Sequence, residues 1–254
     1  MTTWSASVIL FILLAYSKSK AVIEGNSSVQ IIPISYDLTI KIPIIKHYID
    51  FLASIVFHFK LNAITSNITL HSRNLSSLKN VSVISSDEYR QPVLMSIRLL
   101  TNTVEFTFTK PIPKGHYLLT IGEYNGRIHN RSNGVFQRNV TLFTTQLQPY
   151  FAPELFPCLN IPSAKATYRI TVISPINTLV LSNTIVSRVH MEQDTIEWQK
   201  TVFLPTPILP TYSIAFSVMS DVYKENVFLS RKKKLVFKID NVDNDFQFQV
   251  QRNY

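Results

Sequence analysis

The sequence predicts an all-β domain, and three observations predict it. Hydrophobic residues recur with a period of two in short runs rich in β-branched and aromatic side chains; such alternation gives a strand one buried and one wet face. Turn-forming clusters separate these runs. No stretch holds the i, i+3, i+4, i+7 pattern over the roughly 12 residues that a helix of ordinary length shows. The chain has 254 residues, 46% of them hydrophobic. That is enough for one β-domain of about 200 residues, or two small domains, and it argues against wholesale disorder.

The runs follow in order. Ser54–Leu61 (SIVFHFKL), Val104–Thr109, Tyr117–Ile121, Thr167–Ile173, Leu179–Val186, Thr195–Phe203 and Tyr212–Val218 each read as a strand. Asn125-Gly126, Asn133-Gly134, Ser174-Pro175 and Pro205-Thr206-Pro207 read as turns between them, because Asn and Gly tolerate positive φ and Pro cannot continue a ladder. Asn133-Gly134 is the clearest loop tip. With five glycines in all, Asn is expected to take many left-handed positions. Residues 223–254 predict a terminal hairpin, with Lys234–Ile239 and Phe246–Val250 as strands and Asn241–Asp245 (NVDND) as the turn.

The ends and the composition bear on localisation. Val8–Ala15 (VILFILLA) is an apolar run too short for a bilayer, which takes about 20 residues. Small residues follow it, so residues 1–21 read as a secretory signal peptide. Asn26, Asn67, Asn74, Asn80, Asn130 and Asn139 each begin an N-x-S/T sequon, which agrees with a secreted or extracellular glycoprotein, or one held at the cell surface through a partner. Most of the sequons lie between 67 and 139, which leaves the surface built after Gln146 comparatively free for a partner. Cys158 is the one cysteine; it reads as a buried small hydrophobe rather than a nucleophile. The net charge of +9 comes partly from Arg231-Lys232-Lys233-Lys234. A solvated strand edge explains that run, and the base-stacking aromatics of a nucleic-acid binder do not accompany it. No segment reads as a transmembrane span.

Five segments also carry a resemblance. Thr145–Val172 (TQLQPYFAPELFPCLNIPSAKATYRITV) resembles the pattern T-Q-x-[QE]-x-x-x-A-R-x-x-F-P-C-F-D-E-P-x-x-K-A-x-[FY] of the aminopeptidase N-like zinc aminopeptidases. Ile31–Ile40 (IIPISYDLTI), Ser66–Leu75 (SNITLHSRNL), Pro113–Ile128 (PKGHYLLTIGEYNGRI) and Thr206–Val222 (TPILPTYSIAFSVMSDV) resemble other elements of the same domain, in the same order. The resemblance implies that residues 26–222 form that family's N-terminal domain, an antiparallel β-sandwich with a saddle-like sheet. It also implies that Gln146 and Gln148, in the T-Q-x-[QE] segment, help hold a peptide's α-amino group. Four residues depart from the pattern: Pro153 stands where it has Arg, and Leu159, Asn160 and Ile161 stand where it has Phe-Asp-Glu. The acidic pair lost here is expected to brace loops at a domain junction.

The chemistry of that family is missing from the sequence. Zinc hydrolysis needs H-E-x-x-H on a helix, two imidazoles on one face with a Glu that activates water. None of His47, His58, His71, His116, His129 and His190 has that context, and the G-A-M-E-N amine clamp is absent. There is no nucleophile elbow, phosphate loop or C-x-x-C. His71 reads as a strand histidine, Asp37 as a strand-edge carboxylate, and His190-Met191-Glu192 as a polar loop. The expected function is therefore a secreted non-catalytic module that binds peptide or a full-length aminopeptidase, with no catalytic residue, no metal and no cofactor of its own; zinc belongs to full-length members of the family. The alternative is the front end of a longer zinc aminopeptidase.

Overall fold

The computed structural model describes residues 31–43, 50–85, 91–139, 142–191 and 197–220, and the backbone of 235–236 and 249–250. Its strands are β1 (Ile31–Lys41), β2 (Asp50–Leu61), β3 (Thr65–His71), β4 (Ser76–Ser85), β5 (Leu94–Leu99), β6 (Thr103–Ile112), β7 (Gly115–Arg127) and β8 (Gly134–Asn139). Then come β9 (Leu142–Gln146), β10 (Thr167–Pro175), β11 (Leu179–Ser182), β12 (Val186–Met191), β13 (Trp198–Phe203), β14 (Phe216–Met219), β15 (Leu235–Val236) and β16 (Gln249–Val250). The described residues contain no α-helix, only 3₁₀ turns at Ala152–Glu154 and Thr211–Ser213. The all-β expectation holds.

Seven strands form the main sheet, in the order β12-β13-β10-β1-β2-β7-β4. Its pairs are antiparallel except β1 with β10, which run parallel in the register Tyr36↔Tyr168. A four-stranded sheet, β11-β14-β9-β8, and a three-stranded one, β3-β6-β5, share one continuous core with its inner face. Strict alternation makes that face: Tyr36, Leu38 and Ile40 of β1 and Ile55, Phe57 and Phe59 of β2 are almost wholly buried, and the residues between them are not.

Aromatic rings line up across the inner face. Tyr117 stacks near Phe59, Phe59 on Phe57, Phe57 on Tyr36 at 4.3 Å, and Tyr36 on Tyr168 at 5.2 Å. Each such pair adds about 0.5–1.5 kcal/mol beyond its burial. The cross-strand registers Tyr36↔Phe57 and Tyr36↔Tyr168 set the ladder, since directly opposed side chains in a sheet lie within contact.

Several expectations change. Asn125-Gly126 is no turn; both residues continue β7 opposite Leu52 and Phe51. The missing side chain of Gly126 makes room for the Phe51 ring, which any Cβ there would strike. The run Leu179–Val186 breaks at Asn183, whose side chain donates to Ser213 O and accepts from Ala215 N–H, both at 2.8 Å; β11 and β12 then join different sheets. The run at Tyr212 begins with a 3₁₀ turn and becomes a strand only at Phe216. His190 and Met191 belong to β12 rather than to a loop. Asp37 lies on a central strand, on the solvent face, where Arg169 Nη1 holds it at 2.8 Å. Asn does take the left-handed positions: Asn74, Asn80 and Asn177 have positive φ, with Ser77 and Gly134. The signal-peptide residues 1–21, Asn26 and the basic run 231–234 lie outside the described residues. Of the terminal hairpin, the described part is the antiparallel pairing Leu235↔Val250 and Val236↔Gln249.

Candidate functional site

The segment from Thr145 to Thr167 leaves β9, makes the 3₁₀ turn and returns as β10. Its middle is apolar and docks on the aromatic ladder. Phe156 meets Tyr36 edge-on at 5.5 Å and Tyr168 at 6.2 Å. Cys158 is fully buried, which raises its thiol pKa well above the ordinary value; such a thiol is unreactive.

The other segments of the resemblance converge on this loop. His71 and Cys158 exchange both backbone hydrogen bonds, at 2.8 and 3.0 Å. Tyr124 donates its hydroxyl to Leu155 O at 3.0 Å. Leu159 N–H reaches Tyr36 Oη at 3.4 Å. Thr206 N–H donates to Tyr168 O, and Tyr168 N–H donates back to Thr206 Oγ1. Residues scattered through the sequence thus meet around one segment.

The departures from the pattern have their own supports. Asn160 N–H donates to His71 Nδ1 at 3.1 Å, and Asn160 Oδ1 accepts from Thr211 Oγ1 at 3.0 Å. That bond fixes the His71 tautomer with Nδ1 unprotonated, and burial lowers the imidazole's pKa from its ordinary value. Leu159 is buried, while Ile161 is left 43% exposed.

Glu154 is the residue that sequence reasoning missed. It is 2% exposed and sits inside an ionic cluster. Arg131 Nη2 lies 2.6 Å from both of its oxygens. Arg73 Nε lies 2.9 Å from Oε1, an ionic contact that is not aligned as a hydrogen bond, and the His129 imidazole Nε2 lies 3.3 Å from Oε2. Both guanidinium groups also lie near the Phe151 ring, at 5.2 and 5.3 Å. Arg73 ties the turn further, with Nη2 on Tyr150 O and its backbone N–H on Pro153 O. Gly134, at φ +75°, lets β8 approach closely; a Cβ there would collide with Glu154 Oε2. Burial is the main cause that lowers the His129 pKa, and Glu154 opposes it. The signal for Glu154 was present in the sequence. A carboxylate inside YFAPELFP is surrounded by apolar residues, and a buried charge requires partners.

Gln146 ends β9, opposite Gly134, and Gln148 follows in the turn; both are exposed. The Gln148–Pro149 peptide is cis. Asn67, Asn74, Asn80 and Asn130 are exposed. Asn67 Nδ2 donates to Glu105 Oε1 at 2.8 Å.

A zinc centre does not fit the described residues. His71 Nδ1 already accepts from a backbone amide, His129 faces Glu154, and the rings of His58 and His116 lie 5.8 Å apart on the outer sheet face. No group of three or more His, Cys, Asp or Glu is placed to hold a metal among the described residues. No helix there is long and apolar enough to cross a membrane.

Fold and loop together define an all-β domain organised around one buried connecting segment. The chain belongs to the peptidase M1 family: the family model for the peptidase M1 N-terminal domain matches residues 32–213. It is similar to aminopeptidase N of Rattus norvegicus, 27% identical over 240 residues that cover 87% of this chain and 25% of that protein. It is similar to aminopeptidase Ey of Gallus gallus, 31% identical over 145 residues, 53% of this chain and 15% of that protein. It is also similar to the thyrotropin-releasing hormone-degrading ectoenzyme of Rattus norvegicus, 32% identical over 117 residues, 43% of this chain and 11% of that protein. The chain therefore spans about a quarter or less of these curated relatives, and their similarity concerns the N-terminal domain alone.

Proposed function

We propose that this domain is a non-catalytic front module of a zinc aminopeptidase, secreted or displayed at a cell surface, which presents Gln146 and Gln148 to the amino end of a peptide. The observation that carries the reading is the clamp on the turn that bears them. Arg73 and Arg131 pin Tyr150, Phe151 and Glu154, so the segment from Gln146 onward leaves the core along a fixed path. A glutamine amide oxygen can accept from a peptide's ammonium group, and it does so without adding charge. Hydrolysis would be the work of a zinc-peptidase domain packed beside it, with zinc held by that domain.

A second reading is a free-standing interaction module that binds a full-length aminopeptidase or peptide. The charge arrangement favours it. The pattern has a base at position 153 and acids at 160 and 161, and this chain instead has its acid at 154 with bases on neighbouring loops. Exposed Ile161 replaces an acid on a surface that would otherwise face a catalytic domain.

Intact mass of the deglycosylated native product, detected through residues 223–254, separates the readings. A product several times larger than 254 residues means the front module. A product of this length, less its signal peptide, means the free-standing one. Calorimetric titration with an unblocked peptide and its N-acetylated form tests the glutamines. Binding that requires the free amine and weakens in Gln148→Ala supports their role, and equal binding of both peptides removes it.

A further inference from the structure

The outer face of the main sheet carries a second feature, independent of the peptide reading. β1, β10, β13 and β12 are neighbours there, and their registers align two cross-strand rows. One row is Lys41, Ile173, Lys200, His190; the next is Thr39, Thr171, Val202, Arg188. Alternation points all of these outward, because their neighbours Ile40, Val172 and Thr201 are buried on the inner face. Three inter-strand steps of about 4.8 Å make the first row about 14 Å long.

The rows are basic. Lys41 Nζ lies 4.3 Å over the Trp198 ring, which explains why Ile173, on an outward face, is only 9% exposed: the lysine stem and the indole cover it. Val202 is likewise only 9% exposed, so little apolar surface is offered between the cations. The described carboxylates nearest these rows are Asp37, already held by Arg169, and two exposed ones at their margins, Glu197 next to Trp198 and Asp50 on β2. The connection 192–196, with Glu192 and Asp194 in its sequence, lies outside the described residues. No sequon falls in residues 142–220, nor in β1, so no N-linked glycan attaches to these four strands.

We infer that this face binds a linear polyanion, specifically a sulfated polysaccharide chain. Charge complementarity is the argument: Lys41, Lys200 and Arg188 line a strip with a polar imidazole at its end, in a chain whose net charge is +9. A strip of cations suits a linear chain, and Ile173 and Val202 within the rows are only 9% exposed. Leu52, Val189 and Met191 flank the rows with exposed apolar side chains, so sedimentation with vesicles separates a polysaccharide from a membrane. The mechanism is electrostatic, with release of counterions from the polymer.

Heparin is the probe, offered to the full chain at about 0.15 M ionic strength. Wild type is expected to be retained, and Arg188→Glu with Lys200→Glu to weaken the affinity at least about tenfold, with the log–log salt dependence falling by about two. The milder Arg188→Gln with Lys200→Gln keeps the test valid should the charge reversals disturb β12. Serine in place of all four residues Arg231–Lys234 is expected to leave most of the binding intact. The inference fails if wild type is not retained. It fails equally if both double variants bind as wild type does, or if serine at 231–234 alone abolishes binding. Sedimentation with phosphatidylserine–phosphatidylcholine vesicles that is lost in the same double variants would replace the polysaccharide by a membrane and so overturn it.

Discussion

The two flanks of the signature loop are held by different physics. From Leu155 to Ala166 the loop is packed: Phe156, Cys158 and Tyr168 are wholly buried against Tyr36 and Tyr124. From Gln148 to Glu154 it is held by charge, with one buried carboxylate gathering Arg73, Arg131 and His129. The buried Phe156 and Cys158 of the packed flank keep the pattern's residue types; the departures are Pro153 in the charged flank and Leu159, Asn160 and Ile161 where the packed one meets other loops. Interdigitated rings leave few alternatives of equal volume and shape. An ion cluster can be rewired, because an acid on one loop and bases on others satisfy one another in either sense.

The packed flank is expected to be the costlier to damage. Phe156→Ala removes a whole ring from the densest part of the core and should lower stability by about 3–5 kcal/mol, read from urea unfolding midpoints. A loss under about 1 kcal/mol would mean that the ladder is not the keystone of the loop. Glu154→Ala comes next. It leaves two guanidinium groups facing an empty space, but both are partly exposed, so water replaces much of the lost attraction. About 1–3 kcal/mol is expected, below the 3–5 kcal/mol for breaking a fully buried pair. Adding Arg131→Ala to Glu154→Ala should then cost less than that substitution does alone, a coupling read from a double-mutant cycle.

This contrast also explains what the sequence disclosed. The strands, the buried Cys158 and the loop tip at Gly134 were legible because alternation and turn chemistry are local. The ladder was not, since Tyr36, Phe57 and Tyr168 meet only through registers across three strands. Asn125-Gly126 misled because a glycine that admits the Phe51 ring looks the same in sequence as one that turns the chain. Glu154 was hidden because its partners are about 80 residues before it and about 23 residues before it, on separate loops. Gln146 and Gln148 are singled out by resemblance alone, and the structure adds that both are exposed.

Acid should sharpen the difference between the flanks. Burial keeps the His71 and His129 pKa values below the ordinary imidazole value, so the unfolded chain binds more protons than the folded one as pH falls through about 6.5. Stability is therefore expected to decline from pH 7.5 to 5 and to level off below the folded values. His71→Asn offers an acceptor to Asn160 N–H without titrating, so it should remove part of that decline. An unchanged slope in this variant would assign the pH dependence to other groups.

The smallest effects separate three tyrosines that share one environment. Tyr124 donates to Leu155 O and Tyr36 accepts from Leu159 N–H, but the Tyr168 hydroxyl is buried with no hydrogen-bond partner among the described residues. An unpaired buried hydroxyl loses its water and gains nothing in return. Tyr124→Phe is thus expected to lower stability by about 0.5–1.5 kcal/mol, and Tyr168→Phe to leave it unchanged or raise it. The rings, their stacking and their burial are retained in both variants, so the sign of the difference reports the hydroxyl alone. A loss in Tyr168→Phe as large as in Tyr124→Phe would mean that the Tyr168 hydroxyl does have a partner, and that the packed flank, too, depends on a polar contact.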